Sequence, residues 1–256
     1  MKYIAIITGA SSGIGLEFAY AIDQCMASID EIWLVARRKE RLEDLAGKLT
    51  HNTKIICGDL SNRNTTNRIQ ANLKSDKCRV RFLVNAAGYG ILGDFDKCDR
   101  KDETGMCDLN VRALTDLTYV CIPFMSKGSR IINLASSAAF VPQLGFSVYA
   151  ATKSYVLSFS RSLNMELNKK GIYVTAVCPG PVKTEFFDVA EKNGNKTMSL
   201  KKFAMTTPDV VVKTALNDSF RKKEISIPTF TMRAFRVMCK ILPHNVIMKV
   251  TSMLYR

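Results

Sequence analysis

The sequence predicts an α/β chain whose core is a doubly wound parallel sheet with helices on both faces, as a single domain over residues 1–256. Three observations predict it. Short apolar runs alternate with helix-length periodic segments along most of the chain. The apolar runs are rich in Ile and Val without polar alternation, as strands buried on both faces require. A glycine-rich turn stands between the first such run and the first periodic segment.

Taken in order, Tyr3–Thr8 reads as a buried strand and Ile14–Met26 as a helix with Leu16, Phe18, Ala19 and Ile22 turned inward. Ile32–Ala36 is the second strand and Glu40–Leu49 the second helix. Lys54–Cys57 and Val80–Asn85 are the next strands, joined by a polar helix containing Ile69 and Leu73. A long helix is expected over Thr104–Met125, a strand over Arg130–Ala135, and a second long helix over Tyr149–Asn168, ended by Gly171. Ile172–Cys178 and Glu224–Ile227 complete the strands. Strand–helix–strand crossovers are right-handed, so the sheet is wound both ways.

The turn reads Thr8-Gly9-Ala10-Ser11-Ser12-Gly13-Ile14-Gly15. Gly9 permits a tight turn, Gly13 a close approach to a pyrophosphate, and Gly15 close packing of helix on strand. The free N–H groups of the helix start then face the phosphate. At the end of the second strand, an acidic residue would hold the ribose 2′-hydroxyl of NAD. Here Val35-Ala36-Arg37-Arg38 carries no carboxylate, and two guanidinium groups suit a 2′-phosphate. NADP(H) is therefore expected over NAD(H). Asp59-Leu60, after the third strand, is placed to fix the adenine edge, although a turn or cap aspartate explains Asp59 almost as well.

Tyr149 and Lys153 are four apart on one helix face. A phenol ionises too high for acid–base work at neutral pH, and a neighbouring ammonium would lower it. Ser136 follows the fifth strand, at the sheet edge where open α/β folds bind ligands, and its hydroxyl could hold a carbonyl oxygen beside the tyrosine. Ser137 is adjacent, so the serine assignment stays open between the two.

The formal net charge is +14. Such a surface attracts polyanions, but the cations are scattered in groups such as Lys169-Lys170 and Arg221-Lys222-Lys223, with no nucleic-acid-binding motif. Eight cysteines without a C-x-x-C pair read as reduced, buried small hydrophobes in a cytoplasmic protein, and two distant histidines, His51 and His244, speak against a metal site. Ile4–Ile7 is too short for a signal-peptide core, and no apolar run reaches the roughly 18 residues of a membrane span.

These motifs together resemble the short-chain dehydrogenase/reductase family in its classical form, from about Lys2 to Thr184. The resemblance rests on T-G-x-x-x-G-x-G at Thr8–Gly15, N-A-A-G at Asn85–Gly88, Asn110 in Leu109-Asn110-Val111, Ser136, Tyr149 with Lys153, and P-G-x-x-x-T at Pro179–Thr184. It implies a Rossmann-type NAD(P)-binding fold that interconverts a ketone and a secondary alcohol. Tyr149 would be the acid–base residue and Ser136 would orient the substrate oxygen. Lys153 would lower the tyrosine pKa and, with it, hold the nicotinamide ribose. Asn110 would hold a water in a proton relay. Asn85, Ala86 and Gly88 would lie along the cofactor, Asn85 also stabilising the sheet. Thr184 would bind the carboxamide, with Pro179, Gly180 and Val182 shaping that end of the site. Ala86 departs from the family's usual second Asn. The resemblance also implies a homodimer or homotetramer built on the two long helices.

Two regions break the alternation. Residues 184–208 carry Phe186, Phe187, Met198, Leu200, Phe203 and Met205 and stand where the family keeps a substrate lid. Phe140, Leu144 and Phe146 are expected to line the same pocket. These residues serve equally well to pack the lid against the body; if they line a pocket, a bulky hydrophobic substrate of steroid, bile-acid or acyl type is expected. The tail 231–256 is apolar and basic, with Met232, Phe235, Met238 and Ile241 among Arg233, Arg236 and Lys240. Such amphipathic helices more often close a pocket or pack on a partner than lie in a membrane interface, and packing is the expectation here. Two other readings compete. A non-catalytic cofactor-binding regulator is disfavoured by the complete set Asn110, Ser136, Tyr149 and Lys153. An epimerase or dehydratase of the extended relatives would carry a different glycine spacing and a longer substrate domain.

Overall fold

The computed structural model describes residues 2–191 and 205–255. Seven parallel strands form one sheet in the order β3-β2-β1-β4-β5-β6-β7. The strands are β1 (Lys2–Thr8), β2 (Glu31–Ala36), β3 (Asn52–Cys57), β4 (Cys78–Asn85), β5 (Arg130–Leu134), β6 (Tyr173–Val177) and β7 (Ile225–Ser226). Strand order reverses between β1 and β4, which are neighbours in the sheet but separated by two strands and three crossovers in the chain. Ligand sites of open α/β sheets lie outside the carboxyl ends of the strands at such a reversal.

The unbroken apolar runs have a simple cause. Successive side chains of a strand point to opposite faces, and both faces are covered. Ala5 and Ile7 pack with Phe18 and Ile22 of α1 (Gly13–Cys25), Leu42 of α2 (Lys39–Ala46) and Val211 of a later helix. Ile4 and Ile6 face the other layer, with Ile69 of α3 (Arg63–Ser75) and residues of the two long helical segments. Trp33 of β2 is fully buried in that second layer.

The helix expected at Thr104–Met125 starts and ends four residues earlier and is less regular. It starts as α4 (Arg100–Cys107), where the Asp99 side chain caps the first turn by accepting from Lys101 N at 2.6 Å. It widens into a π-helical turn over Asp108–Ala113 and continues as α5 (Leu114–Cys121). Period-3.6 reasoning does not anticipate such a turn, which inserts a residue and re-aims the side chains after it. The second long helix, α6, spans Ser147–Asn168, and Gly171 follows it at a positive φ of 71°. Then come α7 (Phe186–Ala190), α8 (Pro208–Phe220, with proline in its first turn), α9 (Phe230–Ile241) and α10 (His244–Tyr255). No helix of the described residues is long and apolar enough to cross a membrane.

The cysteines depart in part from the sequence reading. All eight are free, and Cys78, Cys121, Cys178 and Cys239 are buried. Cys25 and Cys107 are exposed, and Cys57 is half-buried with its thiol on the carbonyl of Arg37.

Asn85 closes β4 onto its neighbours. Its amide nitrogen donates to Asn133 Oδ1 of β5 at 2.8 Å and to Thr118 Oγ1 of α5 at 3.0 Å, all buried. Of its two expected roles, sheet support is the one its contacts express. An Asn85→Ala variant strands the buried Asn133 and Thr118 groups. We expect a loss of about 1–3 kcal/mol in urea unfolding with an unchanged m-value.

Candidate active site

Thr8, the last residue of β1, ties the sheet reversal together. Its hydroxyl accepts from Ala86 N at 3.0 Å and Ala87 N at 3.1 Å, just past the end of β4. The glycine turn starts immediately afterwards. Gly9 has φ +66°, and a Cβ there would meet the backbone of Ala86 and Ala87 at 3.0–3.1 Å. A Cβ on Gly15 would collide with the carbonyl oxygens of Gly9 and Thr8. Only glycine permits α1 to begin this close to β1. Gly13, also at positive φ, faces the Thr184 side chain, with 3.1 Å left for a Cβ.

The arginine pair is divided between two sides. Arg38 turns to the glycine loop, donating to Ser12 Oγ at 2.7 Å and to Ser11 Oγ at 3.1 Å. Arg37 lies on the Asp59 side. Burial raises the Asp59 pKa, but the hydrogen bonds from Ser61 and the charge of Arg37 outweigh it and hold the carboxyl below its usual range. Its carboxylate accepts from Ser61 N at 2.8 Å and Ser61 Oγ at 2.7 Å, an Asx turn, while Leu60 is buried in the sheet layer. Arg38, Ser11 and Ser12 thus form a cluster of donors at a helix N-terminus, which fits a phosphate-bearing dinucleotide.

Beyond the carboxyl ends of β4, β5 and β6 lies a cavity of roughly 340 Å³. Ile14, Ala86, Gly88, Ser136, Tyr149, Lys153, Pro179, Gly180, Val182 and Thr184 all line it, so Ser136, Tyr149 and Lys153 converge there with part of the expected cofactor set, while Asn110 does not line it. Tyr149 and Lys153 are 7% and 6% exposed. The Tyr149 ring stacks on Phe146 at 4.2 Å, and Ser136 lines the same cavity, its Oγ accepting from Ala138 N at 3.1 Å. Ser137 lines the cavity as well, and its backbone N–H donates to the Pro179 carbonyl at 2.8 Å.

Lys153 lies under the tyrosine ring, with Nζ 5.6 Å from the ring centroid, and donates to the Leu134 carbonyl at 2.6 Å. Asn110, in the π turn, reaches across to the loop after β4. It donates to the Tyr89 carbonyl at 2.8 Å and to Thr152 Oγ1 at 3.2 Å, and accepts from Tyr89 N at 3.1 Å. Gly88 passes so close that a Cβ would come within 2.8 Å of Asn110 Oδ1 and 3.5 Å of Lys153 Nζ.

The electrostatics differ from the expectation that an ammonium lowers the phenol. Burial pushes the Tyr149 phenol up to about 12, against a smaller lowering by the Ser136 hydrogen bond. Burial also pushes the Lys153 ammonium down to about 8, opposed weakly by Cys178. Desolvation is the first cause for both groups, and the lysine donates to the Leu134 carbonyl.

The match to the short chain dehydrogenase family model covers residues 3–195, most of the chain. This chain belongs to the short-chain dehydrogenase family. It is an oxidoreductase of the type that acts on hydroxyl and keto groups. Among family members, it is 30% identical over 235 residues to the NADP-dependent 3-hydroxy acid dehydrogenase YdfG of Escherichia coli K12, covering 90% of this chain and 94% of that one. A Sphingobium yanoikuyae short-chain dehydrogenase solved with NADPH superposes with a TM-score of 0.77 at 28% identity, covering 95% and 97%. The bulky-bulky ketone specific alcohol dehydrogenase of Comamonas testosteroni gives 0.73 at 26% identity, covering 95% of each chain.

As a dehydrogenase cavity, the site has walls that the motifs do not reveal. Gln143, Phe187, Met232 and Phe235 line it, the last two from α9 of the tail. Of the three residues expected between Ser136 and Tyr149, only Phe146 does so. Phe140 instead packs behind the wall on Phe235, with centroids 6.3 Å apart, and Leu144 is half exposed. The tail helices seat Cys239 and Ile247 against Val141. Phe186 packs on Tyr149 at 5.4 Å. Met198, Leu200 and Phe203 lie outside the described residues.

A lysine whose folded-state pKa lies below its unfolded value opposes folding. The opposition is complete below about pH 8, where Lys153 is charged in both states, and fades as the pH rises to 10.5. Over that interval it amounts to about 3 kcal/mol before the Leu134 hydrogen bond is counted. Lys153→Met should therefore unfold several degrees above the parent chain near pH 7, and the gain should shrink towards pH 10 in calorimetry.

Proposed function

We propose that this chain reduces a bulky, hydrophobic ketone to a secondary alcohol with NADPH, Tyr149 donating the proton. The observation that carries the reading is the placement of Tyr149, Lys153 and Ser136 together in a cavity walled by Phe146, Phe186, Phe187, Met232 and Phe235. The nicotinamide, when bound, supplies the hydride to the carbonyl carbon. A substrate oxygen seated between the Ser136 and Tyr149 hydroxyls is polarised by two donors, and the phenol gives up its proton as the oxygen becomes an alkoxide. A phenol pushed up to about 12 is fully protonated at neutral pH, the form that reduction needs. Lys153 keeps a positive charge under the phenol below about pH 8, which stabilises the phenolate left behind. Asn110 holds the Gly88–Tyr89 backbone against this lysine and is the proposed anchor of the proton path.

NADP(H) is the proposed cofactor because Arg38, Ser11 and Ser12 converge and no carboxylate ends β2. The relatives named for NADP and NADPH support it, as does the bulky-ketone relative for the substrate class. Residues 184–208 act as the substrate lid and the tail as a pocket wall within a single domain. The long helices leave Tyr119, Tyr155 and Met165 exposed, which supports a homo-oligomer built on them. Light scattering after gel filtration should then give a mass of two or four chains.

Purified protein should oxidise NADPH with steroid, bile-acid, acyl or other bulky ketones in preference to small polar ones. Tyr149→Phe should lower kcat by at least about 100-fold with NADPH affinity retained. Turnover confined to small polar ketones would overturn the substrate class, and a phenylalanine variant as active as the parent would overturn the role of Tyr149.

A further inference from the structure

Arg38 does not stand alone with the two serines. Glu185, the residue after Thr184, crosses from the far side of the site. Its carboxylate accepts from Arg38 Nη1 at 2.7 Å through one oxygen and from Arg41 Nη1 through the other. Arg41 lies one helical turn beyond Arg38 on α2 and was not among the residues singled out by the sequence. Hydrogen bonds from Arg38 and Arg41 hold the Glu185 carboxyl below its usual range, so it is an anion. All three side chains are 43–47% exposed, open to solvent and to a ligand. The arrangement is an anion held by two guanidinium groups, with the hydroxyls of Ser11 and Ser12 around the same arginine.

We propose that Glu185 is a specificity-determining residue: it stands in for the cofactor's 2′-phosphate on Arg38 and Arg41, and a 2′-phosphorylated cofactor must displace it. This rests on the NADPH reading above. The competition has a defined sign. A phosphate monoester brings three acceptor oxygens and up to two negative charges against the two oxygens and one charge of a carboxylate, so it wins. Exposed ion pairs are individually weak, so the pair is displaceable. A cofactor without the 2′-phosphate leaves the Glu185 pairs intact and gains nothing from either arginine. Glu185 therefore weakens NADPH binding, leaves NADH binding nearly untouched, and narrows the preference between them.

Calorimetric titration of the full chain with NADPH, NADH and adenosine 2′,5′-bisphosphate tests this without turnover. Glu185→Gln removes the charge at an exposed position. It should tighten NADPH and the bisphosphate roughly threefold to tenfold and move NADH by less than about twofold. Adding Arg38→Ala with Arg41→Ala to Glu185→Gln should abolish that gain. If Arg38→Ala weakens NADPH selectively but Glu185→Gln leaves it unchanged or loosens it, Glu185 is no competitor and the proposal falls while the NADPH reading stands. If the parent binds NADPH and NADH alike and Arg38→Ala weakens neither selectively, the NADPH reading falls, and this proposal with it.

Discussion

The site depends on how closely β1, α1 and β4 approach at the sheet reversal. One buried hydroxyl, that of Thr8, holds the two backbone N–H groups that follow β4. The adjoining glycines admit no side chain between the turn and its surroundings. A parallel sheet cannot join β1 to β4 directly, because both run the same way and the intervening chain must leave and return. The loops after β1 and β4 therefore diverge from a common edge. The cleft for a dinucleotide is a consequence of that divergence, and the helix N-terminus beside it supplies the donors. Asn85 works one layer deeper, joining β4 to β5 so that the loops carrying Gly88 and Ser136 keep their spacing.

The second constraint is the burial of a titratable pair. Placing a phenol and an ammonium in an apolar pocket opposes ionisation of both, and the shifts run in opposite directions from their ordinary values. The pair tolerates this because each member has a neutral or dipolar partner, Ser136 for the tyrosine and the Leu134 carbonyl for the lysine. Both partners come from the end of β5. Stability and chemistry conflict here, as they often do where a site needs a desolvated charge.

Nearly all of the fold was legible in the sequence, because burial on both faces leaves a clear apolar signature in the central strands β1 and β2 and the glycine turn fixes where the first helix starts. The π turn at Asp108–Ala113 was not, since no residue type demands it; it shows only in the reach of Asn110 to Tyr89. Residues whose roles come from local spacing, such as Ser136, Tyr149 and Lys153, were found together as expected. The direction of the tyrosine's pKa was not legible, because helical spacing reports proximity and says nothing about desolvation. Arg41 could have been noticed as the next basic residue on the Arg38 face of α2. Glu185 could not, since it meets those arginines from more than 140 positions away.

That distance separates the two halves of the site. Parts that bind a cofactor lie at strand ends, where the backbone is fixed by sheet register and a motif can encode them. The apolar cavity walls come from segments outside the sheet: the loop with Phe146, the helix with Phe186, and α9 with Met232 and Phe235. Met232 packs so near Gly180 that a Cβ there would approach its sulfur to 2.9 Å, so the tail rests on the strand-end loop itself. A change in the tail is therefore transmitted to the pocket wall through packing, with no alteration of the glycine turn or of the Tyr149–Lys153 helix. The apolar walls and the Tyr149–Lys153 helix are held by different elements, and they touch where the rings of Phe146 and Phe186 pack on Tyr149.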